Sequence, residues 1–449
     1  MTTQQDAPDG VTEISDWMRD GRTAAEYLPD PRTRRRRRLV GWLVFLAVIL
    51  LVGGSAGGYT LWALTAPAPP AAATTRLPSV ATRAPVSIPM PAQGSSAVAV
   101  AGADAYLGPD AATTWLTSGS GDAVPIASIT KLVTALVILQ RHPLAGADDA
   151  GPTITFDKAA HDLYDRYYVL GATIAPMPTG SRMSLRDALT AMLVPSASNY
   201  ADALSTWAFG SRGAFLGAAR AWLADHGLDD TRIFEPTGID SRNVSTPADL
   251  LALGKIAAAD PVVSRLASLR SASLGDAGNV ASTNTLLGVD GITGLKTGNL
   301  GENSYALLYT ASVDVGIGEP LQVTGVVLGG FSRETVSADV REQLGGLRRG
   351  FEAVQVAAQG DEVGRVSTPW GASARLVIGG SVSIRTWSDT PITVSMQTSE
   401  PAEYRDGELV GSITWTSGPN TVSAPIVVSG DIAAPTDWWR LTHPDQLGR

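Results

Sequence analysis

The sequence predicts an α+β domain carried behind a single apolar helix and followed by a small all-β domain. Three observations predict it. Strand-like segments open and close the region from about residue 93 to 358, and helix-like segments fill its middle, so a sheet is assembled from both ends around a helical insertion. From about Gly360 to Ser429, short runs rich in Val, Ile, Thr and Ser alternate with turn residues, the pattern of a small β-sandwich or barrel. Ahead of both, a cluster of arginines abuts a long uncharged apolar run.

Taken in order, residues 1–38 are expected to be a largely disordered cytoplasmic tail. Its acidic, polar start allows at most a short helix from Glu13 to Tyr27. Arg32 and Arg34 to Arg38 then precede an apolar run over 39–64, with no charge between Leu39 and Thr75. A bilayer needs roughly 20 such residues. The arginines are expected to stay cytoplasmic, which puts the bulk of the chain outside a cell membrane crossed once, with lipid as partner over 39–64. A cleaved signal peptide is the competing reading, and Ala66, Ala68 and Ala71 could mimic its cleavage site; its apolar region is usually shorter and its charges nearer the terminus. Residues 65–92 hold seven prolines and read as a semi-rigid spacer. At about 3 Å per residue it would reach on the order of 80 Å.

Residues 93–358 follow as the larger globular domain. A strand is expected over Ser95 to Tyr106 and a buried helix over Ser128 to Arg141. Further helices are expected over Leu185 to Val194, Asn199 to Trp207 and Phe215 to His226. Thr246-Pro247-Ala248-Asp249 reads as an N-cap with proline at the first helical position, opening a helix through Ala258. Strands over Ser304 to Val313 and Leu321 to Gly329, then a helix over Ser337 to Ala357, close the domain. In the C-terminal domain, residues 359–449, strands are expected over Ala374 to Ile378, Ser381 to Trp387, Ile392 to Met396 and Leu409 to Thr416. The aromatic tail Trp438-Trp439-Arg440-Leu441 is read as ordinary packing, with docking on a surface as the alternative.

Composition narrows the function. The chain has 449 residues and a formal net charge of −9 despite its arginine cluster, which argues against nucleic acid as a partner. It has no cysteine, and its four histidines are scattered without ligand spacing, so no metal or other cofactor is expected.

The chemistry-bearing feature is Ser128-Ile129-Thr130-Lys131. A helix starting near Ala127 puts residues three apart on one face, so the Ser128 hydroxyl and the Lys131 amine become neighbours. A neutral lysine beside a serine makes a nucleophile without histidine. Only four lysines occur, at 131, 158, 255 and 296. Ser-x-x-Lys alone is weak, since a chance match has odds of about one in three. Lys296-Thr297-Gly298 is stronger, at about 4% by chance. Between them lies Pro195-Ser196-Ala197-Ser198-Asn199, after the apolar stretch Leu189 to Val194.

Together these motifs resemble the serine-type D-alanyl-D-alanine carboxypeptidases, the low-molecular-mass penicillin-binding proteins. The likeness covers roughly residues 90–350. The spacings agree, 68 residues from Ser128 to Ser196 and 100 from Ser196 to Lys296. So do the flanking phrases Leu193-Val194-Pro195-Ser196, Pro236-Thr237-Gly238-Ile239-Asp240 and Gly364-Arg365-Val366. The resemblance implies a β-lactamase/transpeptidase-like catalytic domain, an antiparallel sheet flanked by helices. It implies that Ser128 attacks the carbonyl between two terminal D-alanines of a peptidoglycan stem peptide while Lys131 accepts its proton. For that, the Lys131 pKa must fall well below ~10, through burial and the second cation Lys296. The N–H groups of Ser128 and Asn299 would hold the oxyanion, and Gly298 would let the substrate backbone approach. Lys296 and Thr297 would hold the terminal carboxylate, and Ser196 would relay the proton to the leaving D-alanine. β-Lactams would acylate the same serine. A β-lactamase needs a deacylating base, in some members a Glu-x-x-Leu-Asn segment, and Glu235 is followed instead by Pro-Thr-Gly.

One position departs from the family. Its second motif is normally Ser-x-Asn, and here the third place is Ser198, with Asn199 next. A hydroxyl is shorter and has one donor where the amide has two. Either Ser198 acts through a water or the turn shifts to present Asn199, at a cost on the order of 10- to 100-fold in rate. The expected function is therefore a membrane-anchored D-alanyl-D-alanine carboxypeptidase. A weakly active homologue acting as a cell-wall scaffold and a D,D-endopeptidase are the alternatives.

Overall fold

The computed structural model describes residues 31–81, 83–403 and 405–448. Of the disordered tail expected over 1–38, residues 1–30 lie outside the described residues, as does the short helix expected over Glu13 to Tyr27, while 31–38 are corrected to the first turns of the helix Pro31–Thr65. The described chain falls into two compact units: a larger one of residues 74–365 with 375–430, and a smaller one that joins residues up to 73 to 366–374 and 431–448.

The larger unit is built on a five-stranded antiparallel sheet. In spatial order its strands are Ile292–Gly298, Tyr305–Val313, Leu321–Gly330, Ser95–Ala101 and Leu116–Ser118. The first and last parts of the region 93–358 thus share one sheet, as expected, and Ile292–Gly298 forms its open edge. Side chains alternate between the faces. Leu308, Val326 and Leu328 join Ala97 and Ala99 in a core with the helical insertion. Leu307, Tyr309 and Val327 meet Val336, Val340, Leu344 and Leu347 of the helix Arg333–Gly350 on the other face. The insertion packs Thr130–Arg141, Leu185–Leu193, Ser198–Phe209, Arg212–Asp225 and Pro247–Ala259 together. Thr246 caps the last of these, its hydroxyl accepting from the Asp249 N–H at 3.2 Å. Helices at Lys158–Val169 and Pro261–Ala267 escaped the sequence reading.

Two further expectations are corrected. The helix over Ser337 to Ala357 stops at Gly350, and Phe351–Ala357 is a strand antiparallel to Val382–Trp387. Within it Phe351 and Ala357 are buried, Val354 and Val356 half-buried, and Glu352 and Gln355 exposed. A Cβ on Gly350 would lie 2.0 Å from Trp387 Cζ3, so the indole caps the helix end against bare backbone. Phe351, Trp387, Tyr106 and Trp115 form an edge-to-face aromatic cluster, with centroids 5.2–5.5 Å apart. Residues 375–430, including the antiparallel neighbours Thr393–Thr398, Leu409–Ser417 and Asn420–Ser429, consequently share one compact unit with the peptidase region.

The second correction concerns residues 65–92, expected to be a semi-rigid extended spacer. From Thr74 onward this segment packs on the larger unit. The Arg76 N–H donates to the Val363 carbonyl at 2.8 Å and the Val86 N–H to Ser388 Oγ at 2.8 Å. Arg83 pairs with Glu352, and Val86 and Ile88 lie against the core that holds Leu344 and Leu347. Proline stiffens a chain but leaves its apolar neighbours free to bury themselves, and Val86 and Ile88 do so.

The smaller unit centres on the helix Pro31–Thr65, of which Arg32–Thr65 is long and apolar enough to cross a membrane. A short helix, Asp437–Thr442, docks on its far end. Arg440 Nη1 donates to the carbonyls of Ala66 at 2.7 Å and Ala63 at 3.4 Å, and Tyr59 Oη donates to the Leu441 carbonyl at 2.6 Å. Ala63, Ala66 and Leu447 are buried together under Trp439 and Leu441. Replacing Gly350 with Ala should displace Trp387 and cost about 2 kcal/mol. Urea unfolding would read this, and an unchanged midpoint would remove the indole from the helix-end account.

Candidate active site

Ser128 belongs to a single 3-10 turn, Ala127–Ile129, that runs into the helix Thr130–Arg141. Ala127 is held at φ +49°, a conformation costly for a residue with a Cβ. Gly238 packs so closely here that a Cβ on it would lie 1.9 Å from the Ala127 carbonyl oxygen. Gly298, on the edge strand, sits where a Cβ would be 2.9 Å from the Ile126 carbonyl oxygen. The lack of a side chain at Gly298 therefore brings the strand against the Ser128 turn.

Lys131 points from the first helical turn into this junction and is fully buried. Its Nζ lies 3.0 Å from Ser128 Oγ, 3.2 Å from Ser198 Oγ and 2.6 Å from the Thr237 carbonyl oxygen. Burial pulls its pKa down from the ordinary lysine value to about 7, against the opposing charge of Glu235. Near neutrality much of the amine is uncharged. Two N–H groups then face Thr237 and Ser198, and the lone pair is free for the Ser128 hydroxyl proton.

The Thr237 carbonyl is aimed by a network the sequence reading missed. The buried Glu235 carboxylate accepts from the N–H groups of Thr237 at 2.7 Å and Gly238 at 2.5 Å. Asn243 Nδ2 donates to Glu235 Oε1 at 3.0 Å and to Thr130 Oγ1 at 3.1 Å, tying the turn to the nucleophile helix. The phrase Pro236 to Asp240 was the available signal. Its backbone acts here, so side-chain chemistry did not reveal it.

The second motif lies opposite. Ser196 is buried at φ +68° on the cleft wall, and Ser198 bonds Lys131 directly, without a mediating water. Asn199 is not presented to the cleft, which corrects its reading as a substrate contact. Its amide accepts from the Ala175 N–H at 3.2 Å and donates to the Ala175 carbonyl at 2.8 Å. Asn199 is the second residue of the helix Ser198–Phe209, and it clamps Ala175, just past the cleft-rim residues Gly171 to Thr173.

The third motif lines the remaining side. Lys296 is 2% exposed and donates to the Thr297 carbonyl at 3.1 Å. Burial, then the charges of Lys131 and Arg333, hold it well below the ordinary lysine range. The second cation thus responds to the first, while burial is what lowers Lys131. Thr297 Oγ1 shares a 2.6 Å hydrogen bond with Thr283 Oγ1, and Arg333 Nη1 donates to the Thr283 carbonyl at 3.1 Å. Arg333, unremarked in the sequence, begins the helix after the sheet and places a guanidinium in the cleft. Asn299 follows at the strand end, exposed, in the cleft lining with Ser128, Thr297 and Gly298. Three separate motifs thus meet around one cleft, with a hydroxyl on an amine of lowered basicity and the Arg333 guanidinium in the lining. Among the described residues, no cluster of His, Asp and Glu could hold a metal ion.

Comparison with known proteins agrees with this geometry. Residues 100–332 match the sequence model of the D-alanyl-D-alanine carboxypeptidase family. A D-alanyl-D-alanine endopeptidase of Pseudomonas aeruginosa is 31% identical over 244 residues, 52% of this chain and 72% of that protein. One from Haemophilus influenzae is 31% identical over 201 residues, 43% of this chain and 65% of that protein. Among solved structures, penicillin binding protein 5 from Haemophilus influenzae covers 78% of this chain and all of its own at a TM-score of 0.51 and 17% identity. The Streptomyces K15 DD-transpeptidase covers 58% of this chain and 98% of its own at 0.50 and 23%. These two show the same fold. With more than half its length inside the family model, and its three motifs folded into one serine–lysine cleft, the chain belongs to the D-alanyl-D-alanine carboxypeptidase family of serine peptidases.

Proposed function

We propose that the protein is a membrane-anchored D-alanyl-D-alanine carboxypeptidase that removes the terminal D-alanine of peptidoglycan stem peptides. The observation that carries the reading is the buried Lys131 amine 3.0 Å from Ser128 Oγ. Ser128 Oγ attacks the scissile carbonyl carbon, and its proton passes to the Lys131 lone pair. The backbone N–H groups of Ser128 and Asn299 hold the resulting oxyanion. Collapse breaks the C–N bond, and the proton reaches the leaving amine through Ser196. Water then hydrolyses the acyl-serine. Ser198 positions Lys131 from the place where the family's asparagine stands. Thr297, Lys296 and Arg333 favour an anionic group beside the leaving nitrogen, and the terminal carboxylate fits that demand. β-Lactams, which carry a carboxylate in the same relation to their scissile amide, acylate Ser128.

A second reading, D,D-endopeptidase, is favoured by the names of the curated relatives. A cross-link from D-alanine to a diamino dicarboxylic acid also carries a carboxylate on the carbon next to the scissile nitrogen, so the same anion-binding groups serve both substrates. The membrane helix is read as retained, with the arginines cytoplasmic and the peptidase outside. Ala66, where a processing site could lie, is buried in the cap formed with Leu447, which supports retention.

Ser128→Ala should abolish both labelling by fluorescent penicillin and release of D-alanine from a D-Ala-D-Ala peptide; persistent labelling would remove Ser128 as nucleophile. Pentapeptide monomers and cross-linked dimers offered to the wild type should be distinguished, with free D-alanine released from the first. Cleavage of dimers alone would select the endopeptidase. Because a proton on Lys131 blocks attack, acylation by penicillin should fall about tenfold per pH unit below about 7 and level off above it. Glu235 raises the Lys131 pKa, so Glu235→Gln should move that midpoint to lower pH. A shift to higher pH would contradict the assignment.

A further inference from the structure

The cap on the far end of the apolar helix has a feature that peptide hydrolysis does not use. The last carbonyls of a helix lack intrahelical partners, and their dipole end is negative. Arg440 answers two of them, at Ala63 and Ala66, and the Gly448 N–H adds a bond of 3.0 Å to the Pro67 carbonyl. Thr436 caps the short helix Asp437–Thr442 through the Trp439 N–H at 3.2 Å. Trp439 stacks on His443 with ring centroids 4.7 Å apart and meets Trp370 edge-on at 5.8 Å. Trp370 Nε1 in turn donates to the Ala433 carbonyl at 2.7 Å. This is a folded piece, yet Trp438 within it is 75% exposed.

The helix itself says what surrounds that indole. From Leu39 to Tyr59 the chain climbs about 30 Å at 1.5 Å per residue, the thickness of a bilayer's hydrocarbon layer. Tyr59 and Trp62, 38% and 44% exposed, then fall at the outer boundary, where tyrosine and tryptophan concentrate. The cap is bonded to Tyr59, Ala63 and Ala66, so it stands at that same depth. We propose that residues 431–448 form a collar that lies in the outer lipid headgroup layer, with Trp438 inserted beside the membrane helix. The lipid interface suits an indole because it takes the ring into an apolar layer and leaves Nε1 a polar partner. Within the smaller unit, the membrane is thus engaged twice, by the span and by the far end of the chain. The inference rests on reading Arg32–Thr65 as a membrane span.

The absence of cysteine permits a direct test. The full-length variant Trp438→Cys, labelled with a thiol-reactive fluorophore and placed in phosphatidylcholine vesicles, carries a single reporter. Because Trp438 is largely exposed, the substitution leaves the cap packed. The reporter should be quenched by lipids brominated near the headgroup, and its quenching by aqueous iodide should be several-fold weaker than in the urea-unfolded chain. Adding Arg440→Ala should restore iodide access without loss of penicillin labelling. Resistance to extraction by alkaline carbonate reports the span separately. Protein that resists extraction while its reporter stays open to iodide overturns the collar alone. Protein that washes off overturns the span and the collar together.

Discussion

The buried amine of Lys131 is the constraint around which the catalytic cleft is arranged. An ammonium with no access to water is costly unless its donors are matched and its charge is relieved. Here both happen. The Thr237 carbonyl and two serine hydroxyls surround Nζ, and burial lowers the pKa to about 7. An unfolded chain would hold the proton up to the ordinary value of 10.5. Between those values the unfolded state binds more protons, so stability attributable to this group rises with pH across that window; below it the penalty of the buried charge is full. The site holds an amine that the fold prefers uncharged, which is also the form able to take a proton.

Holding that amine requires rigidity in places where the backbone resists it. Ala127 and Ser196 both occupy the left-handed region, one before Ser128 and one in the facing motif. Gly238 and Gly298 make room where any side chain would strike the nucleophile turn. The buried carboxylate of Glu235 and the amide of Asn243 then fasten the turn from behind. Glu235 serves two ends: it orients the carbonyl that receives the Lys131 N–H, and its charge opposes the fall in pKa that burial causes. Replacing the family's asparagine by Ser198 keeps the contact to the amine and gives up a second amide, while Asn199 becomes a clamp on the cleft rim.

The segments that the sequence misjudged share a physical cause. Phe351–Ala357 follows a helix without a breaker stronger than Gly350, and only the Trp387 ring reveals why the helix ends there. Residues 74–92 look like a tether because proline excludes helix and sheet interior, yet Val86 and Ile88 find an apolar surface made by residues more than two hundred positions away. The tail Trp438 to Leu441 reads as generic aromatic packing until the helix end it covers is in view. In each case the deciding partner is distant in sequence.

Local spacing, by contrast, was enough for much of the chemistry. Three residues along a helix bring Ser128 beside Lys131 whatever the rest of the chain does. An apolar run beside arginines reads as a span from its length alone, and alternation at both ends of the peptidase region announces a shared sheet. The sequence by itself therefore determined the serine–lysine pair, the lysine of the third motif and the fold class. Tertiary structure alone decided that Asn199 faces away from the cleft, that Glu235 and a backbone carbonyl govern the amine, and that Arg333 arrives beside Thr297. Those outcomes depend on which groups are buried together, and burial is set by packing between segments that no local pattern connects.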